Sequence, residues 1–327
     1  MPKFVYLKKY AILSIKNIFM IIFHLKDYFY LAESISKNLQ IPLGTIEEKV
    51  FPDGEIYHCL EQSVLGQHVI LVGGTHNDLC TLNLYDLGYG IVKAGARSLT
   101  LVIPYFGYST MERAVKEGEI VKAKTRAKIL SAIPDSPEGN KVLLLDLHSE
   151  GIPHYFGEHI TASHLYGKKV IIQAIQDLAN GKPFILASTD AGRAKWVASL
   201  ANDLNVEAAF VYKTRLSGSQ TKVTGVNADV KNKTVIIYDD MIRTGGSLLQ
   251  AAQSYLEVGA KEVFAVATHL VLPNASIDKL KNSNLITKIC GTNSHPRSLE
   301  LQSDFLHVYD ISSIFAEFLK NYFFSKG

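Results

Sequence analysis

The feature that most constrains this chain is an alternation that runs from residue 69 onward. Short unbroken aliphatic runs, "HVILVGG", "SLTLVIP" and "KVLLLDLH", are separated by segments of helical spacing at 79–94 and 122–132. A second series follows: "PFILAS", "EAAFVY", "TVIIYDD" and "EVFAVATH", with helical patterns at 191–202, 246–258 and 311–321. Strands that are apolar at consecutive positions need cover on both faces, which is the condition of a parallel sheet between layers of helices. The expected fold is α/β, with two similar domains, each a mostly parallel sheet flanked by helices.

Between the two series lies "HSEGIPHYFGEHITASHLYGKK", rich in Gly, His and aromatics and without either period, so the boundary is set at 165/166. The expected domains are 20–165 and 166–327, with the last helix able to pack back on the first. "SGSQTKVTG" at 217–225 reads as a turn with a short hairpin strand, an excursion from the second sheet.

Residues 1–19 read as a basic and apolar extension. Lysines 3, 8, 9, 16 and 26 precede the first acid, Asp27, and the apolar runs among them fall far short of the roughly 20 residues a bilayer requires. A membrane segment is therefore not expected; the extension reads as an arm, or as residues upstream of a start at Met20. Lys and Arg total 34 against 31 Asp and Glu, a net charge of +3, too small for a nucleic-acid backbone as the main ligand. Cys59, Cys80 and Cys290 stand far apart with no C-x-x-C pair, so neither a disulfide framework nor a cysteine zinc site is suggested, and a reducing cytoplasm fits.

The stretch richest in chemistry is 234–256, "TVIIYDDMIRTGGSLLQAAQSYL". A buried strand ends in Asp239 and Asp240, a short loop carries Thr244, Gly245, Gly246 and Ser247, and a helix begins at once. Glycines let backbone N–H groups turn toward an anion, the hydroxyls add donors, and a helix N-terminus adds favourable potential, so the loop reads as a phosphate cradle. Carboxylates do not bind phosphate, but they accept hydrogen bonds from vicinal sugar hydroxyls. The plainer alternative is an ordinary strand-to-helix corner capped by Thr244 or Ser247. Lys213 and Arg215 alternate along an extended segment and present two cations on one side, either over a nucleotide or as a solvated edge strand. Phe51, Asp53 and Glu55 surround Gly54, where an aromatic ring can stack on a base and acids can accept from its amine, unless the segment is a bare turn.

The stretch 234–256 resembles the phosphoribosyl-diphosphate motif of type I phosphoribosyltransferases and ribose-phosphate diphosphokinases (PRPP synthetases). Further segments favour the second family: "FPDGEIY" at 51–57, "VIPYFGYSTMER" at 102–113, "LLLDLHSE" at 143–150, "STDAGRAKWV" at 188–197 and "YKTR" at 212–215 are similar to its motifs in order and spacing across about 22–325. The resemblance implies transfer of the β,γ-diphosphoryl group of ATP to the 1-hydroxyl of ribose 5-phosphate, giving PRPP and AMP. It implies Lys213 and Arg215 as catalytic, and Phe51, Asp53, Glu55 and Arg113 at ATP. Asp239, Asp240 and Thr244 to Ser247 would hold ribose 5-phosphate, and His148 and Asp190 the cofactor Mg²⁺. A homo-oligomer, dimer or hexamer, is also implied, because the Phe51 loop in that family reaches a neighbouring subunit's nucleotide site.

Two departures stand out. Ser109-Thr110-Met111-Glu112-Arg113 replaces the Ala-Arg-Gln-Asp-Arg of the common synthetases, and is similar to the plant class II branch; Arg243 stands where the common motif has a third acid. Two other readings remain open: a catalytically silent synthetase-associated regulatory homologue, and a phosphoribosyltransferase.

Overall fold

The computed structural model describes residues 20–217, 220–226, 228–273 and 275–324; the extension 1–19 lies outside them. Two compact units are present, one holding the described residues up to Leu165 together with the C-terminal helix, the other Tyr166–Ile311.

In the first unit, strands β1 (Met20–His24), β4 (His68–Val72), β5 (Ser98–Ile103), β6 (Asn140–Leu145) and β7 (Ile160–Leu165) form one sheet in that order, every pair parallel. The period of two divides each strand between two helical layers. Phe23, Val69, Leu71, Leu101 and Val142 share a core with α2 (Asp78–Lys93) and α3 (Lys122–Ser131). The alternate residues Ile22, Ile70, Val102 and Leu143 are equally buried. Helix α1 (Phe29–Leu39) packs against the C-terminal helix Ser312–Phe324, Leu31 and Ile35 being buried in the one and Phe315 and Leu319 in the other. Asn38 Nδ2 donates to Ser312 Oγ at 3.2 Å, and the His68 and Phe323 rings meet at 5.2 Å. The last helix, which a linear boundary leaves with the second half, thus belongs to the first unit. Strands β2 (Ile46–Val50) and β3 (Ile56–Leu60) form a separate antiparallel hairpin that interrupts the α/β alternation.

The second unit holds a six-stranded sheet, β15 (Leu306–Tyr309), β14 (Lys288–Thr292), β13 (Glu262–Leu270), β12 (Thr234–Ile242), β8 (Phe184–Ser188) and β9 (Ala208–Ala209), all parallel. On β12, Val235 and Ile237 pack with Leu248, Ala251 and Tyr255 of the helix Gly246–Glu257, while Ile236 and Tyr238 pack with helices Lys168–Ala179 and Ala194–Leu204 on the opposite face. Each fully buried side chain of this size contributes about 1.5–3 kcal/mol. Strands β10 (Val211–Ser217) and β11 (Gln220–Val226) form an antiparallel hairpin outside the sheet.

Candidate active site

In the second unit the chain leaves β8 for β9 on one side and later returns to β12 on the other. Such a reversal opens a crevice at the carboxyl ends of the two strands, the usual ligand position in an open α/β sheet. Tyr238 pairs with Ser188, so Asp239 follows on one strand where Thr189 and Asp190 follow on the other. Thr189 Oγ1 donates to Asp239 Oδ2 at 3.0 Å, and the Asp240 N–H donates to Asp239 Oδ1 at 2.9 Å. Asp240 is 3% exposed, and its Oδ2 meets Arg193 Nη2 at 2.5 Å. Burial first, and the neighbouring Asp240 charge second, push the Asp239 carboxyl up to about 8. Near pH 7 two adjacent carboxyls thus carry fewer than two charges, which lessens repulsion of an anion beside them.

The loop beyond β12 turns tightly into the next helix. Gly245 has φ +73°, and a Cβ there would stand 2.6 Å from Leu280 Cδ2, so no other residue fits without displacement. It occupies the N-cap of the helix Gly246–Glu257 with no side-chain cap, leaving the first-turn N–H groups to be satisfied from outside. Thr244 and Ser247 are exposed beside it. The N-cap position is taken by Gly245, not by Thr244 or Ser247. The helix is anchored deep in the unit, Tyr255 Oη donating to the Ser188 and Ala209 carbonyls at 3.1 and 3.3 Å. Asp190 is partly exposed, its Oδ1 accepting from Gly192 N at 2.8 Å. Lys213 and Arg215 lie two apart on β10, opposite Val223 and Thr221 on β11; their side chains lie outside what is described.

Three loops of the first unit carry the other residues singled out in the sequence. Phe51, Asp53, Gly54 and Glu55 form the tip of the β2–β3 hairpin, closed by Phe51 N to Glu55 O at 2.8 Å and Gly54 N to Phe51 O at 2.9 Å, with Gly54 at φ +93°. Phe51 is exposed, with Lys49 Nζ 5.2 Å from its ring centroid. After β5 the chain passes Tyr108, whose Oη donates to Asp78 Oδ1 at 2.6 Å beside Arg126 Nη2 on the same oxygen at 2.6 Å. The Tyr108 bond first and Arg126 second hold the Asp78 carboxyl below the usual range. Beyond this anchor Met111 is 40% exposed, and Arg113 reaches solvent 3.5 Å from Glu112. At the end of β6, Asp146 takes φ +37° and is 4% exposed, and two residues on His148 is exposed. A left-handed non-glycine residue at a strand end is costly backbone geometry, and such strain gathers at functional sites.

Residues 20–133 match the family described as the N-terminal domain of ribose phosphate pyrophosphokinase, and residues 189–326 match the phosphoribosyl synthetase-associated domain. The chain is 35% identical over 301 residues to a ribose-phosphate pyrophosphokinase of Haemophilus influenzae, covering 89% of this chain and 91% of that one. It is 33% identical over 290 residues to that of Gloeobacter violaceus, covering 88% and 85%. The chain belongs to the ribose-phosphate pyrophosphokinase family. The fold agrees across its length: phosphoribosylpyrophosphate synthetase from Mycobacterium smegmatis superposes with a TM-score of 0.82 at 25% identity, covering 94% of this chain and 100% of that one.

Two residues of the pyrophosphokinase crevice escape a reading by motif. Thr189 and Arg193 lie inside "STDAGRAKWV", yet nothing local marks them as partners of carboxylates about 50 residues downstream. The available signal was a guanidinium three residues after Asp190 at a helix start, near two acids that would otherwise be buried together. Asp78 and Arg126, which fix Tyr108, carry no motif at all.

Proposed function

We infer that the chain is a ribose-phosphate diphosphokinase: it moves the β,γ-diphosphoryl group of ATP onto the 1-hydroxyl of ribose 5-phosphate, releasing AMP. In that step the sugar oxygen bonds to the β-phosphorus, the bond from that phosphorus to the α,β-bridging oxygen breaks, and the hydroxyl proton is lost. The observation that carries the reading is the uncapped Gly245 turn directly beyond Asp239 and Asp240, within a family whose relatives match both units.

Thr244, Ser247 and the N–H groups of the Gly245–Gly246 turn hold the 5-phosphate, while Asp239 and Asp240 accept hydrogen bonds from the ribose hydroxyls. Arg193 holds Asp240 in place and keeps the acid pair from repelling the sugar phosphate. Lys213 and Arg215 neutralise the migrating diphosphoryl group as charge grows in the transition state, so that catalysis is positioning and electrostatics. Phe51 stacks on the base, Asp53 and Glu55 accept from its amine, and Arg113 meets a donor phosphate.

His148 and Asp190 are the residues for Mg²⁺. Asp190 offers a partly exposed hard oxygen and His148 an exposed imidazole, which suits an ion that keeps most of its water. When bound, the ion supplies charge neutralisation on the donor's phosphate oxygens. The exposed Phe51 hairpin tip supports a homo-oligomer, dimer or hexamer, in which a neighbouring chain's nucleotide is the partner of that ring. Met111 and the segment around it support assignment to the plant class II branch. No helix of the described residues is long and apolar enough to cross a membrane, and a cytoplasmic enzyme is consistent with free Cys59, Cys80 and Cys290. Assaying AMP and PRPP from ATP plus ribose 5-phosphate tests the function: formation of both in equal amounts is expected. Binding without turnover would point instead to a regulatory homologue.

A further inference from the structure

Away from the Gly245 crevice, three side chains of different kinds converge in the first unit. Asp27, in the single turn Lys26–Tyr28 after β1, His76, after β4, and Cys80, in the first turn of α2, bring one donor atom each within 4.8 Å of the others. Asp27 Oδ2 is 3.4 Å from His76 Nε2 and 3.9 Å from Cys80 Sγ, and His76 Nε2 is 3.4 Å from Cys80 Sγ.

These distances carry the argument. With zinc bond lengths of about 2.3 Å to sulfur, about 2.0–2.1 Å to nitrogen and about 2.0 Å to oxygen, tetrahedral angles place S and N about 3.5 Å apart, S and O about 3.5 Å, and N and O about 3.3 Å. The triangle of 3.4, 3.9 and 3.4 Å matches those edges to within about 0.4 Å, so a tetrahedral ion needs only a small closure at the Asp27–Cys80 edge. We propose that Asp27, His76 and Cys80 form a zinc site with an open fourth position, distinct from the residues assigned to Mg²⁺.

The donor set decides the metal. Thiolate and imidazole are ligands for zinc and related transition ions, whereas Mg²⁺ takes oxygen and a near-ideal octahedron. The start of α2 holds two of the ligands in register: His76, just before the N-cap, and Cys80 are four residues apart, and Asn77 caps the helix between them by accepting from Cys80 N at 2.8 Å. The His76 ring packs against Tyr28, 6.0 Å between centroids, which limits its rotation. Cys80 is buried, His76 half-buried and Asp27 exposed, so the cluster lies at the edge of the core, where an ion can enter from solvent. Asp78, between His76 and Cys80, holds Tyr108 and Arg126. Zinc here would staple the turn after β1 to the helix start that anchors the 102–113 segment.

The test uses the full chain in Mg²⁺ buffer, freed of transition metals by a chelator and titrated with Zn²⁺ against a chromophoric competitor. The expected result is one Zn²⁺ per chain with a Kd at or below the micromolar range, weakened at least tenfold in both Cys80→Ser and His76→Asn. Co²⁺ should give a thiolate charge-transfer band in the wild type that Cys80→Ser lacks; circular dichroism checks that each variant is folded. Equal zinc affinity in the wild type and both folded variants, or a Co²⁺ spectrum without that band, would overturn the site. Because the readout is metal binding, failure here leaves the assigned diphosphokinase reaction untouched.

Discussion

Arg193 and Asp240 form an ion pair of 2.5 Å in which both side chains are largely buried, the arginine's being 17% exposed. They lie 47 residues apart, the arginine beyond β8 and the aspartate on β12, and the parallel pairing of those strands brings them together. The pair leaves Asp239, next to it, as the carboxyl that takes up a proton as pH falls through about 8.

Replacing Arg193 with Ala strands a buried carboxylate beside a second acid. Removing one partner of a buried pair costs about 3–5 kcal/mol. Urea unfolding of Arg193→Ala should show a loss of that order, with Arg193→Lys in between because an ammonium restores the charge without the planar fork. Wild-type stability in the alanine variant would show that the ion pair does not hold the crevice.

A pH dependence follows from Asp239. Its folded value, about 8, lies above the ordinary carboxylate value of 3.8, so the folded chain binds more protons than the unfolded one between those limits. Asp239's stabilising contribution is full below pH 3.8 and is lost as pH rises through about 8, with a slope of at most about 1.4 kcal/mol per pH unit. Asp239→Asn should flatten the fall of unfolding free energy between pH 6 and 8 relative to wild type. Parallel curves for the two proteins would contradict the raised carboxyl.

Gly245→Ala puts a methyl group where φ is +73° and Leu280 stands 2.6 Å away. The left-handed region costs roughly 1–2 kcal/mol for an L-residue, and the clash adds to it. Calorimetry should find ribose 5-phosphate binding weakened at least tenfold in a variant that still folds; unchanged affinity would remove the turn from the sugar-phosphate site.

Lys213→Ala should lower kcat at least about tenfold, since a cation used mainly in the transition state contributes a few kcal/mol to it. Ribose 5-phosphate affinity should hardly move. A variant keeping most of its turnover would take Lys213 out of the catalytic strand.

Met111 offers no polar group that a wrong base would strand, so nucleotide discrimination should be weak. At least one of GTP, CTP and UTP should support kcat/KM within about a hundredfold of ATP, a difference of under about 3 kcal/mol. Preference for ATP beyond a thousandfold over all three would place the discrimination elsewhere, in the backbone near Phe51.

By itself the sequence determined what depends on neighbouring residues. Unbroken apolar runs such as "TVIIY" dictate doubly covered parallel strands, and Asp239, Asp240 and Thr244 to Ser247 fall at one strand-to-helix corner because strand end, turn and helix start are contiguous. Only the tertiary structure decided what depends on pairing across the sheets. Arg193 and Thr189 reach the acids through the β8–β12 register, and the last helix joins the first unit because its apolar face, with Phe315 and Leu319, is matched by Leu31 and Ile35 on α1. Asp27 meets His76 and Cys80 because β1 and β4 are adjacent parallel strands. No C-x-x-C spacing announces such a cluster, since its members are separated by 49 and 4 positions and become neighbours only when the sheet forms.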